Sequence, residues 1–207
     1  MTIDRLRAHW GFTRMPFAKN LAPSMLHGHR SHGEAVARIT WCIDEQVVGV
    51  VTGEVGAGKT VAVRAALAGI DASRHTVIYL GGPSVGLRGL YSTIVSTLGG
   101  VPRFHRASLI PQARDALATE EHERGRRVVV VFDEAHLLDA EQLEGIRLLT
   151  NAEMDSHSPF ACLLVGQPTL RRRIRLGAFA ALDQRVALRY SLVGMEQTDT
   201  GNGTTVP

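Results

Sequence analysis

No segment of this chain is apolar for the roughly 18 to 20 consecutive residues that a membrane-spanning helix needs. The first ten residues, Met1 to Trp10, carry basic side chains but no apolar core. No secretory signal is expected there, and the cytoplasm is the default compartment. Cysteine is scarce: Cys42 and Cys162 lie far apart in apolar surroundings among 207 residues. That excludes a disulfide framework and reads as two reduced core thiols. Internal repeats are absent. The one low-complexity piece, Thr198 to Pro207, has no apolar periodicity and is expected to be a disordered tail. A strong excess of one charge is lacking too: the formal net charge is +3, which permits contact with nucleic acid without requiring it. What is present, 44% hydrophobic and 21% charged residues, is ordinary for a soluble globule. The length suits one α/β domain with a small appendage.

The most informative stretch is Gly53-Glu54-Val55-Gly56-Ala57-Gly58-Lys59-Thr60, followed by Val61. It fits the phosphate-binding pattern G-x-x-x-x-G-K-[ST] without a mismatch. The apolar run from Val47 to Thr52 before it reads as a buried strand, and Val61 to Ala68 behind it as a helix. At such a turn glycines let successive N–H groups curl toward phosphate oxygens at the positive end of a helix. Lys59 is then expected on the β- and γ-phosphates of ATP and the Thr60 hydroxyl on Mg²⁺. The bland alternative is a glycine turn between strand and helix. A guanine-reading N-K-x-D stretch and an LSGGQ-like signature are both missing, which argues against a GTPase and an ABC transporter ATPase.

Along the chain, residues 1–31 read as an irregular arm pinned by Trp10, Phe12 and Phe17. Helices are predicted over Glu34 to Glu45, Leu87 to Leu98, Ser108 to Glu123 and Ala140 to Asn151, with a short one after Pro168. Strands are predicted over Arg74 to Leu80, Val128 to Phe132, Phe160 to Val165 and Val186 to Leu192. This alternation implies crossover connections and an α/β fold with a parallel sheet covered on both faces. The core is expected over 32–193, with a disordered tail over 194–207.

The third strand runs into Asp133-Glu134-Ala135-His136. A buried strand ending in two carboxylates opens on the crevice where open α/β sheets bind ligands. There Asp133 would hold Mg²⁺ through a water, and Glu134 would polarise the attacking water. The pair could instead cap the next helix. His136 is open between linking hydrolysis to a neighbouring element and a capping or solvated role. Gln167, after the fourth strand, has a donor and an acceptor to offer the γ-phosphate or the water, or is a turn residue before Pro168. Arg185, read as the start of the fifth strand, can reach a neighbouring subunit's γ-phosphate. Arg189 and the run Arg171-Arg172-Arg173 with Arg175 are its rivals; that run is a solvated face or a contact for DNA phosphates.

Together WGFTRMPF, GEVGAGKT, VVVFDEAHLL, LLTNAEMDS, LVGQPTLR and LDQRVALRYSL resemble the AAA+ ATPases of the ExeA type, close to the TnsC- and TniB-like regulators of transposition. The resemblance spans Trp10 to Leu192. It implies a P-loop NTPase with an AAA+ core, a five-stranded parallel sheet of order 5-1-4-3-2, Mg²⁺-ATP as ligand, and oligomers with ATP sites between subunits. By the same resemblance Lys59 and Thr60 are Walker A, Asp133 and Glu134 Walker B, Gln167 sensor 1, and Arg185 an arginine finger. Members encoded beside transposases engage duplex DNA and recruit a transposase. Secretion-pathway members carry a transmembrane segment and a peptidoglycan-binding region, which this sequence lacks, so the mobile-element role is favoured and no membrane partner is expected. After RYSL the family continues into a helical lid. Here a short polar tail follows, so a missing lid is expected, and with it a nucleotide-binding module of little turnover is the alternative. A DEAH-box helicase has only the tetrapeptide behind it.

Overall fold

The computed structural model describes residues 3–12, 30–82, 85–151 and 158–194. Five strands, β1 (Val48–Gly53), β2 (His75–Leu80), β3 (Arg127–Phe132), β4 (Ala161–Gly166) and β5 (Val186–Leu192), form one sheet. Its order is β2-β3-β4-β1-β5 and every pairing is parallel, as the resemblance implied. The cause is visible in the sequence. β1 and β4 are buried along their whole length, and β3 beyond its first residue. Such runs need helices on both faces, which only crossover connections supply.

The described residues form eight α-helices, α1 (Ile3–Trp10), α2 (Arg30–Asp44), α3 (Lys59–Ala68), α4 (Gly86–Thr97), α5 (Arg106–His122), α6 (Ala140–Leu149), α7 (Pro168–Ile174) and α8 (Ala180–Arg185), and all but α1 bury side chains in the core. One face carries Ile39 and Ile43 of α2 and Val63 of α3 against Val51, Val131 and Leu163. The other carries Leu90 and Ile94 of α4, Leu117 of α5 and Ile146 of α6 against Val130, Phe132 and Leu164. Each fully buried Val, Leu, Ile or Phe contributes about 1.5–3 kcal/mol of transfer free energy. Cys42 and Cys162 are unpaired and buried, and burial pushes the Cys42 thiol up to about 12 and the Cys162 thiol up as well.

The elements sit within a residue or two of their expected ends, with three corrections. The arm expected to be irregular contains α1. Its Ile3, Leu6 and Trp10 share one face, and Asp4 near the start with Arg7 and His9 near the end suit the helix dipole. Of the aromatics expected to pin the arm, Trp10 is 63% and Phe12 37% exposed, and no residue of α1 is buried. α2 also begins earlier than expected, at Arg30. Lastly, Arg185 ends α8 rather than starting β5. The stretch 13–29 with Phe17, the segment 152–157 and the tail from 195 lie outside the described residues.

One buried carboxylate ties α5 to the sheet. Glu120 accepts hydrogen bonds from Thr76 Oγ1 of β2 at 2.6 Å and Arg124 Nη1 at 2.7 Å, with Arg126 Nε 3.8 Å away. Burial alone would raise its pKa. The two hydrogen bonds and the charges of Arg124 and Arg126 outweigh that and hold it below the usual range. A folded-state pKa below the unfolded one gives stability that is present above the ordinary value of 4.5 and lost as pH falls through the folded value. We expect Glu120→Gln to cost about 1–3 kcal/mol near neutrality. Urea unfolding of parent and variant should differ at pH 7 and converge as pH falls through and below the folded-state value; equal midpoints at pH 7 would remove Glu120 from this account.

Candidate functional site

β1 ends at Gly53, and the loop that follows turns through Gly56 (φ 81°) and Gly58 (φ 89°) before α3 begins at Lys59. Both glycines occupy the left-handed region, which side chains with a Cβ resist, so the pattern's glycines are where the backbone requires them. The Lys59 side chain is 8% exposed, and its Nζ donates to the carbonyls of Gly53 and Glu54, each at 2.9 Å. An ammonium has three donors, so two prop the loop and one is left for a ligand.

Two strands away, β3 delivers Asp133, 5% exposed, and Glu134, whose side chain is 45% exposed. Thr60 Oγ1 donates to Asp133 Oδ2 at 2.9 Å, which joins the two motifs directly. With its proton committed to Asp133, the Thr60 hydroxyl turns its lone pairs elsewhere, as an oxygen ligand to a cation requires. Asp133 Oδ1 accepts from the Glu134 backbone N–H at 2.9 Å. Glu134 itself has φ 52°, an uncommon value for a residue with a Cβ. Strain of this kind costs about 1–3 kcal/mol and persists where the surroundings over-determine it, often at functional sites. The capping reading fails: Glu134 stands before the 3-10 turn Ala135–Leu137 but its side chain makes no capping hydrogen bond, and α6 is capped by Asp139 in a reciprocal pair with Gln142.

Gln167 follows β4, the strand between β1 and β3, and so comes out between the two motifs. It lines a cleft of about 510 Å³ with Val55, Gly56, Gly58, Lys59, Thr60, Val61 and Glu134. Gly166 before it has its own reason: a Cβ there would meet the backbone nitrogen of His136 at 3.0 Å. His136 is largely buried, with Nδ1 3.5 Å from Glu134 Oε2. Sequence reading missed Tyr79. Its hydroxyl donates to Asp133 Oδ2 at 2.7 Å, and burial together with that bond pushes the phenol up, so it stays a donor.

Arg185 does not join this cleft. It precedes Val186, which pairs with Val48, whereas the loop follows Gly53 at the other end of β1. At about 3.3 Å per residue the two edges are about 17 Å apart along the strand. Its Nη1 donates to the Thr150 carbonyl at 3.1 Å, and it lines a separate cavity of about 470 Å³ with Arg147 and Gln184. Burial first, and then the charge of Arg147, lower its pKa. Of the rivals, Arg189 is engaged by Asp183 Oδ1 at 2.9 Å, and Arg173 donates to the Leu138 carbonyl and covers the Phe179 ring. Arg171, Arg172 and Arg175 are exposed.

The donor set fits Mg²⁺. Among the described residues no three His, Cys, Asp or Glu side chains gather into a metal cage. A hydroxyl bonded to one carboxylate beside a phosphate loop is the sparse protein set of an ion that keeps its waters and shares phosphates. Among the same residues no helix is long and apolar enough to cross a membrane.

Comparison with known proteins agrees with the geometry. The chain is 32% identical over 194 residues to General secretion pathway protein A of Aeromonas hydrophila, covering 92% of itself and 35% of that protein. It thus spans about a third of that relative's length. Among solved structures, the ORC2 protein of Aeropyrum pernix in its ADP form superposes with a TM-score of 0.65 at 18% identity, over 89% of this chain and 53% of that one. Cdc6p of Pyrobaculum aerophilum gives 0.63 at 19%, over 84% and 48%. A Walker-type ATPase of Pyrococcus abyssi gives 0.56 at 15%, over 89% and 59%. At these identities the superpositions establish the fold alone. The AAA domain family matches residues 43–174, from the end of α2 through the phosphate loop and the Asp133–Glu134 turn to α7. The chain belongs to the AAA domain family.

Proposed function

We propose that this chain binds Mg²⁺-ATP in the cleft between the phosphate loop and the Asp133–Glu134 turn, and hydrolyses it to ADP and phosphate. The observation that carries the reading is the Thr60–Asp133 hydrogen bond, which locks the two motifs together beside Lys59, Glu134 and Gln167. Residues 53–61 cradle the phosphates with backbone N–H groups and the Lys59 charge. Thr60 and Asp133 hold the metal, which when bound neutralises charge on the transferred phosphoryl group. Glu134 takes the proton of the attacking water, and Gln167 orients that water or the γ-phosphate.

Arg185 is proposed to act on a neighbouring copy's cleft, since the length of β1 separates it from its own. The functional unit is taken as residues 32–193. For the cellular role, the resemblance to TnsC- and TniB-like regulators rests on motifs alone, whereas the secretion relative matches along most of this chain. That favours an ATPase of a secretion pathway over one that engages DNA and a transposase.

Purified chain should bind a fluorescent ATP analogue more tightly with Mg²⁺ than with EDTA, and release phosphate at a rate per chain that rises with protein concentration. Arg185→Ala should remove the concentration-dependent part and leave nucleotide affinity unchanged. Absence of any nucleotide binding would overturn the reading. Stimulation of turnover by duplex DNA would return weight to the transposition role.

A further inference from the structure

Asp133 carries more hydrogen bonds than the motif requires. Its two oxygens offer about four acceptor positions in all. Three are filled: Thr60 Oγ1 and Tyr79 Oη on Oδ2, and the Glu134 N–H on Oδ1. Among the described residues one position, on Oδ1, is left. Thr60 and Glu134 belong to the two motifs themselves, whereas Tyr79 comes from β2, where it pairs with Val131 of β3.

The placement of Tyr79 is built. Its ring is about half exposed, so burial of the ring is not what holds it. A Cβ on Gly81 would lie 2.8 Å from its Cε1, so the ring is seated in the space that this glycine leaves. The phenol reaches Asp133 at 2.7 Å, the short distance of a hydrogen bond to a charged acceptor.

We propose that Tyr79 is a positioning residue for the metal-site carboxylate: it fixes Asp133 so that the vacant acceptor position on Oδ1 is presented to the hydration shell of Mg²⁺ in the Mg²⁺–nucleotide complex. This rests on the Mg²⁺-ATP reading above. With the phenol in place the carboxylate is held from both sides, by α3 through Thr60 and by β2 through Tyr79. Without it, Asp133 turns about its side-chain bonds and the ordering must come from binding itself. Partners that orient metal ligands typically change metal affinity or activity by about 10- to 100-fold when removed.

The test is equilibrium binding of a non-hydrolysable fluorescent ATP analogue to parent and Tyr79→Phe across a Mg²⁺ titration and in EDTA. Tyr79→Phe keeps the ring over Gly81 and removes only the hydroxyl. The expected result is unchanged affinity in EDTA and a Mg²⁺ concentration for half-maximal effect raised about 10-fold. Gly81→Ala, which displaces the ring, should give the same shift and add nothing to Tyr79→Ala in the double variant. Equal Mg²⁺ dependence in parent and Tyr79→Phe overturns the proposal. So does a lower requirement in the variant, which would make Tyr79 a competitor of the ion. If the parent shows no Mg²⁺ dependence, it is the nucleotide reading that fails, a separate result read from the parent alone.

Discussion

Glu134→Gln is expected to leave Mg²⁺-ATP bound and to cut its hydrolysis by roughly 10²-fold or more. The substitution keeps the size of the side chain and its oxygen acceptor but removes the base. It also leaves the backbone N–H of residue 134 on Asp133 Oδ1, so the metal side of the site is preserved. Glu134 suits the role because it is the exposed member of the pair, opening on the cleft, while Asp133 is buried and held by Thr60 and Tyr79. Its left-handed backbone adds a control. Glu134→Gly relieves the strain while removing the base, so it should be at least as stable as the parent and equally slow. Phosphate release under single-turnover conditions, with nucleotide affinity measured alongside, checks both variants. Turnover of Glu134→Gln at the parent rate would require another group to take the proton.

The centre of the sheet was legible because β1, β3 and β4 are near-continuous apolar runs, with carboxylates directly after Val128 to Phe132. The phosphate loop was legible for the reason its pattern exists: Gly56 and Gly58 take conformations that few other residues adopt. Gln167 could be placed between the motifs only through the strand order, and that came from the resemblance. Periodicity cannot say that β4 enters between β1 and β3.

What was missed has a physical cause as well. Tyr79 alternates along β2 like any half-exposed strand residue, and its link to Asp133 depends on register across two strands, which local sequence does not carry. The same is true of Gly166, whose role is to let the backbone at His136 approach β4. α1 is weakly marked in the sequence because it is short and none of its residues is buried, so no core-facing apolar stripe announces it. Arg185 shows a further limit: its position in sequence resembles a finger's, yet only the fold reveals that it lies at the opposite end of the strands from its own cleft.

Lys59→Ala is expected to have the largest effect, lowering turnover by about 10²- to 10³-fold or more and weakening ATP binding with it. Two losses are combined in that change, and they can be told apart. The first is charge: an ammonium beside the β- and γ-phosphates contributes more as the number of phosphates rises. The second is support: Nζ holds the carbonyls of Gly53 and Glu54, so its removal also loosens the loop. Loosening would weaken every nucleotide alike, whereas loss of charge would weaken ATP more than ADP, and ADP more than AMP. Titrating all three nucleotides against parent and Lys59→Ala therefore reads the charge from the slope of the series and the support from its offset. We expect a steep slope, because the side chain is almost fully buried and its charge is poorly screened there. A flat series, with AMP losing as much as ATP, would reassign Lys59 from phosphate ligand to prop of the loop.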